Sequence, residues 1–90
     1  MMIKVDVTLI NASGLHARPV AQLVNAVKRY KDTVVKIAKE GREVDAKSML
    51  GIMSLGAKQG SVLCISADGP EEAEIIQLLI GLIESGFGEG

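Results

Sequence analysis

A predicted β-hairpin centred on Glu40-Gly41 places the strongest restriction on how this chain can fold. Strand-like residues at 34–39 and 42–46 flank the pair, and Gly41 can supply the positive φ that a tight hairpin turn requires. A hairpin makes its two strands antiparallel neighbours. The sequence therefore predicts an antiparallel sheet.

Hydrophobic periodicity predicts the elements on either side of the hairpin. Apolar and polar residues alternate at 3–9, which indicates a half-buried strand, and a fourth strand is predicted at 62–67. A helix should follow residue 16 and end near Tyr30, because its apolar residues recur at helical spacing. A short helix is predicted at 48–54, with Ser48 as its N-cap.

A third helix is predicted to begin within 69–72, with Pro70 at its first position and acidic residues favoured by the helix dipole. Residues 86–90 are expected to end this helix as a frayed tail. The buried face predicted for the third helix consists of Ala73, Ile76, Leu79, Ile80 and Ile83.

The predicted element order, β-α-β-β-α-β-α, favours an α+β fold with two layers. Its helices need an apolar sheet face to cover, which leaves the other face open to solvent. Hydrophobic residues make up 48% of the sequence and the aromatic residues are Tyr30 and Phe87, so the core should be aliphatic. We expect one domain spanning 1–90. Periodicity does not determine the order of the strands.

Composition argues against several classes of function. The net charge of −1 is far from the cationic surplus that nucleic-acid binding needs. A single cysteine, Cys64, allows no internal disulfide and argues against a zinc site. Without a signal peptide or a membrane-spanning run, the chain is expected to be cytoplasmic. Cys64 should share the open sheet face with Val62 and Ser66, as a structural thiol.

The only histidine, His16, stands at the predicted start of the first helix. The amides of a first helical turn lack intrahelical acceptors and favour anions. Arg18 adds a planar guanidinium suited to phosphate oxygens, and Pro19 can occupy the first turn without losing a hydrogen bond. Neutral imidazole is a nucleophile near pH 7, so His16 is the candidate acceptor of a phosphoryl group.

The sequence supplies a place for a phosphoryl group but no apparatus to generate one. It contains no evident metal-ligand set, nucleotide-binding loop or hydrolytic triad. These absences favour a carrier over a stand-alone enzyme, and we predict no metal or cofactor. A lone histidine is more often inert, and the arginine and the helix start are what argue for function here.

The segment 47–55 is apolar nearly all round a short helix. Such residues usually belong to the core. At the edge of a two-layer fold, however, some of Met49, Leu50 and Met53 should face solvent, where they would form a docking surface for partners. A phosphate on Ser48 would add negative charge beside this surface and could change partner choice.

Two motifs resemble those of the HPr family, the histidine-containing phosphocarriers of the bacterial phosphotransferase system. The segment 13–19 resembles the active-site motif of the family, and 47–56 resembles its regulatory serine motif in the form typical of low-GC Gram-positive bacteria. The resemblance extends over essentially the whole chain, including the ending at 86–89. Val20 departs from the alanine of many members, which should affect only helix packing.

The resemblance implies a four-stranded antiparallel sheet of order 1-4-2-3, with three helices on one face. Phospho-Enzyme I, charged by phosphoenolpyruvate, would phosphorylate His16 at Nδ1, with Arg18 steadying the phosphoryl group. The acceptors would be IIA domains of sugar permeases. An ATP-dependent HPr kinase/phosphorylase would modify Ser48 and slow transfer from Enzyme I. The Ser48-phosphorylated form would bind a LacI-type regulator in catabolite repression.

Two other functions are weighed against the carrier. A regulatory binding module could act mainly through phospho-Ser48, the apolar patch and a transcription-factor partner. The family resemblance includes a related regulatory paralogue that lacks the active histidine, and His16 argues against that assignment. A stand-alone phosphotransfer enzyme is disfavoured by the missing nucleotide and metal motifs. We expect a monomer that neither binds nucleic acid nor enters a membrane.

Overall fold

The predicted element order is confirmed in the computed structural model, which describes residues 2–88. The short α2 has Ser48 as its N-cap, as predicted. The elements are β1 Ile3–Thr8, α1 Ala17–Lys28, β2 Val34–Lys39, β3 Arg42–Asp45, α2 Met49–Met53, β4 Val62–Asp68, α3 Glu72–Glu84 and a closing 3₁₀ turn at Gly86–Gly88.

The four strands form one sheet in the order β1-β4-β2-β3, and every neighbouring pair is antiparallel. This is the order that the family resemblance implied. The central strand β4 pairs with both β1 and β2, so Ile65 lies between Val5 and Ile37. The strands β1 and β3 form the two edges, and β3 carries the chain directly into α2.

The alternation of side chains along β4 separates the core from the open face. Leu63, Ile65 and Ala67 are fully buried against the helices, whereas Val62 is exposed. Cys64 and Ser66 lie on the same face as Val62, as predicted, although Ser66 is itself buried. On α1 the buried residues include Val20, Leu23, Val24 and Val27, which is the predicted apolar face. Burying each such side chain contributes about 1.5–3 kcal/mol.

The hairpin turn needs a positive φ at both of its central residues. Gly41 has φ 83° as predicted, and Glu40 also adopts φ 52°. Positive φ at both positions is the mark of a type I′ turn, whose twist matches that of the strands it joins. The following strand ends at Asp45, one residue before the predicted end.

The third helix begins within 69–72, as predicted, but the prediction that Pro70 occupies its first position was wrong. Pro70 and Glu71 lie in a turn, and α3 begins at Glu72. The amide of Glu71 donates to the hydroxyl of buried Thr33 (3.2 Å), so a long-range contact sets the entry into the helix. The buried face differs accordingly: Ile75 is buried, Ala73 is exposed and Ile80 is only partly buried.

The prediction of a frayed tail is also wrong for 86–88. Phe87 is only 5% exposed, and its carbonyl accepts a hydrogen bond from Gln22 Nε2 on α1 (3.2 Å). An aromatic side chain has enough apolar surface to hold a chain end against the core. The other two residues of the predicted tail, Glu89 and Gly90, lie outside the described residues.

Cys64 occupies the surroundings expected of an unreactive thiol. Burial raises the pKa of the Cys64 thiol, and the carboxylate of Asp6, its cross-strand partner on β1, raises that pKa further. A smaller thiolate fraction makes a cysteine a weaker nucleophile at neutral pH. Within 2–88, no helix combines the length and the apolar character needed to cross a bilayer.

Candidate functional site

His16 is the N-cap residue of α1. Its backbone is extended (φ −96°, ψ −172°), and its carbonyl accepts the first helical hydrogen bond, from Val20 N (3.1 Å). The side chain is exposed and does not cap the helix by a hydrogen bond to its first turn. The imidazole is therefore presented at the helix start, where another protein can reach it.

The first turn of α1 offers an anion two backbone amides and a guanidinium. Ala17 and Arg18 hold the first two helical positions, whose N–H groups have no acceptor within the helix, and Pro19 at the third carries no N–H. This turn contains no acidic residue, so nothing in it offsets the positive end of the helix dipole. The structure thus places His16 and Arg18 in one turn, as the sequence predicted.

The loop before His16 is organised by Asn11, a buried residue that the sequence analysis did not single out. Asn11 Nδ2 donates to Ser13 Oγ (3.2 Å) and to the carbonyl of Gly14 (2.9 Å), and Asn11 O accepts from Gly14 N (3.1 Å). These bonds close a compact turn immediately ahead of the helix. The preference of asparagine for such turns was the available signal.

The same loop is attached to the segment that follows α2. Leu15 N donates to Ala57 O (3.1 Å). Gly14, with φ +68°, packs so closely on this segment that a Cβ atom would lie 2.6 Å from Ala57 O. Gln59 Nε2 also donates to the carbonyl of Ile10 (2.9 Å). Two backbone approaches and one side-chain hydrogen bond thus hold the His16 turn against the chain leaving α2.

Ser48 caps α2 as predicted. Its Oγ accepts a hydrogen bond from Gly51 N (3.0 Å). Ser48 is exposed, so its hydroxyl is reachable from solvent even while it caps the helix. Gly51 suits this position, because a Cβ there would lie 3.0 Å from Ser48 Oγ and 3.3 Å from Val44 Cβ.

The predicted exposure of the α2 patch, which consists of Met49, Leu50 and Met53, is confirmed. Leu50 is 83% exposed, and the two methionines are 38% and 39% exposed. Ile52 is the buried member of the helix. Because α1 and α2 pack on each other, the helix that carries the apolar patch is a direct neighbour of the helix that begins after His16. A partner of ordinary interface size could cover both.

Known proteins provide an independent comparison. Residues 3–85 match the family model described as the PTS HPr component phosphorylation site. The chain is 44% identical to the phosphocarrier protein HPr of Cupriavidus necator, over 99% of each chain. It is 40% identical to the phosphocarrier protein NPr of Proteus mirabilis, over 92% of each chain.

A solved structure of similar sequence has the same fold. The crystal structure of HPr-C-His from Thermoanaerobacter tengcongensis has a TM-score of 0.93, with 43% sequence identity over 98% of each chain. Agreement of this kind covers all four strands and all three helices described above.

Proposed function

This chain belongs to the HPr family of phosphocarriers of the phosphotransferase system, and on that premise we propose that His16 relays a phosphoryl group from phospho-Enzyme I to IIA domains of sugar permeases. The observation that carries the proposal is the exposed imidazole at the start of α1, beside the amides of Ala17 and Arg18. The chain is a carrier in this scheme, and its chemistry is completed by other proteins. We place it in the cytoplasm, as a monomer.

In the proposed transfer, the Nδ1 lone pair of neutral His16 attacks the phosphorus held by Enzyme I. The new P–N bond forms as the bond between phosphorus and its donor group breaks, and the donor keeps that electron pair. The phosphoryl oxygens then meet the Ala17 and Arg18 amides and the Arg18 guanidinium, which stabilise their negative charge. The reverse attack by an acceptor on a IIA domain discharges His16.

The chemical stability of the product tests this proposal. Incubation with Enzyme I and phosphoenolpyruvate carrying labelled phosphate should give about one label per chain, by the stoichiometry of a single imidazole acceptor. The label should be lost in acid and survive alkali, as a phosphoramidate does, and fragment analysis should locate it at His16. Acid-stable label, or label on another residue, would refute the relay.

We further propose that an ATP-dependent HPr kinase/phosphorylase modifies Ser48 and thereby slows charging of His16. Ser48 is exposed and immediately precedes the α2 patch, so a phosphate there changes the charge of the surface that Enzyme I would cover. A phosphate carries about −1.5 to −2 charges near pH 7, and interfaces penalise a mismatched buried charge.

Stoichiometric phosphorylation of Ser48 should reduce the rate of His16 labelling by about tenfold or more, if it costs at least ~1.4 kcal/mol of interface free energy. The Ser48→Ala variant is the matched control: it loses the cap of α2, but its own labelling rate should be the same with and without treatment by the kinase and ATP. Equal labelling rates before and after full modification would contradict this regulation.

A second candidate function is a regulatory module that binds a LacI-type transcription regulator through phospho-Ser48. The observation in its favour is the 83% exposure of Leu50 on a helix that otherwise buries Ile52. The two functions can coexist in one chain. They separate experimentally, because regulator binding should survive replacement of His16, whereas the relay should not.

A further inference from the structure

Arg42 makes a bidentate contact that ties the edge strand β3 to the end of α2. Its Nη1 donates to the carbonyl of Ser54 (2.9 Å), and its Nη2 donates to Ser54 Oγ (3.0 Å). The Ser54 hydroxyl in turn donates to the carbonyl of Gly51 (2.6 Å). Carbonyls in the last turn of a helix have no partner within the helix, so this guanidinium acts as a C-terminal cap contributed by a different element.

The helix that receives this cap cannot maintain its own geometry. It has 5 residues, and Ile52 is the member buried against the core. Isolated helices much shorter than about 12–15 residues are unstable in water, because nucleation outweighs the few hydrogen bonds formed. Besides the burial of Ile52, the position of α2 therefore depends on the two contacts at its ends, Ser48 Oγ at the start and Arg42 at the finish.

The same contact fixes the start of the segment that runs from the end of α2 towards the His16 turn. The segment from Ser54 reaches Ala57, whose carbonyl accepts the hydrogen bond from Leu15 N. Arg42 thus stands at the junction of the α2 patch and the segment that supports the His16 turn. Both surfaces are ones that a protein donor would cover in the relay.

We propose that Arg42 is a positioning residue for phosphoryl transfer: by clamping Ser54, it presents the α2 patch in the geometry that protein partners dock against. This inference rests on the proposed function, since it assumes that His16 exchanges phosphoryl groups with proteins. Arg42 itself touches no reacting atom. Its loss should therefore weaken productive encounter with the partner while leaving the reactivity of the imidazole intact.

The test compares Arg42→Gln with Arg29→Gln, which removes the same charge at the far end of the 12-residue α1. In Arg42→Gln we expect amide exchange of Ile52 and Ser54, whose N–H groups close the helical turns of α2, to accelerate about tenfold. The KM of Enzyme I for the chain should rise about fivefold at unchanged kcat. Arg29→Gln should match the parent chain in both measurements.

Two further variants test the contact between Arg42 and Ser54 itself. Arg42→Lys retains the charge without the two-pronged donor, so its exchange rates and KM should fall between those of the parent and Arg42→Gln. Ser54→Ala removes the hydroxyl prong and should raise KM less in the Arg42→Gln background than in the parent, because the interaction is already lost.

A direct role of Arg42 in partner contact predicts a different pattern. It would raise KM in Arg42→Gln with normal exchange at Ile52 and Ser54, and that result would overturn the positioning role. Labelling of His16 by phosphoramidate, a small reagent that needs no docking surface, should proceed at the parent rate in Arg42→Gln. A parent chain that accepts no label from Enzyme I would refute the relay itself, and amide exchange would still report on the clamp.

Discussion

Replacing His16 with alanine should abolish phosphoryl acceptance from phospho-Enzyme I. His16 is the only histidine of the chain, so no second imidazole can take over the attack on phosphorus. The variant should also fail to discharge to a IIA domain, since it never carries the group. The measurement is the amount of acid-labile label per chain after incubation with Enzyme I and labelled phosphoenolpyruvate. Label that persisted in His16→Ala would refute the role of His16 as the carrier.

The fold of His16→Ala should be essentially unchanged. Because the imidazole is exposed, and substitutions at exposed positions usually change stability little, the free energy of unfolding should change by less than about 0.5 kcal/mol. Arg18→Gln is the matched comparison within the same turn. It should slow charging by about 10- to 100-fold without abolishing it, because a charge-assisted contact worth ~1.5–3 kcal/mol is lost while the nucleophile stays.

Replacing Gly14 with alanine should both destabilise the chain and impair charging of His16. The added Cβ would lie 2.6 Å from Ala57 O and 3.0 Å from Lys58 Cα, both of them backbone atoms. The positive φ of 68° adds about 1–2 kcal/mol of strain for a residue with a side chain. We expect a total loss of about 2–4 kcal/mol in the free energy of unfolding, measured by urea denaturation.

Gly56→Ala separates the two contributions. Gly56 has φ +63°, but no atom lies within 4 Å of where its Cβ would be. This variant should therefore show the conformational cost of about 1–2 kcal/mol alone. Equal destabilisation by the two substitutions would mean that the approach of Gly14 to Ala57 has no energetic weight, contrary to the role assigned to this contact in holding the His16 turn.

Short-range signals account for the elements that the sequence predicts well. The hairpin follows from Glu40-Gly41 between alternating residues, and the start of α2 follows from the capping preference of Ser48. His16 and Arg18 could be grouped because they belong to one helical turn, whose geometry depends only on the neighbouring residues. Local chemistry was sufficient in each case.

The failures involve contacts between residues that are far apart in sequence. Pro70 favours the first position of a helix, but the hydroxyl of Thr33 engages the next amide and α3 starts later. Phe87 follows a glycine, which suggests fraying, yet it finds a buried site against the rest of the chain. Strand order is likewise set by pairings such as β1 with β4, which periodicity cannot report; the family resemblance supplied it.

The residues that support the site were missed for the same reason. In the sequence Arg42 looks like an ordinary strand residue, and only the fold brings it beside Ser54. The hydrogen bonds from Gln59 to Ile10 and from Leu15 to Ala57 likewise depend on loops that are far apart in sequence. Among these residues, Asn11 alone could have been identified from the sequence, because asparagine favours such turns.

The attachment of the His16 turn has a consequence for how members of this family can diverge. Main-chain atoms join the loops at Leu15 to Ala57, Leu9 to Ser61 and Gly60 to Leu9. Because these bonds use only backbone groups, side chains at the exposed positions of the loops can change without removing a donor or an acceptor, whereas Gly14 has no room for a side chain. Members of the family can therefore change the surface that their partners contact, and with it their partner specificity, while the His16 turn keeps its position relative to the rest of the fold.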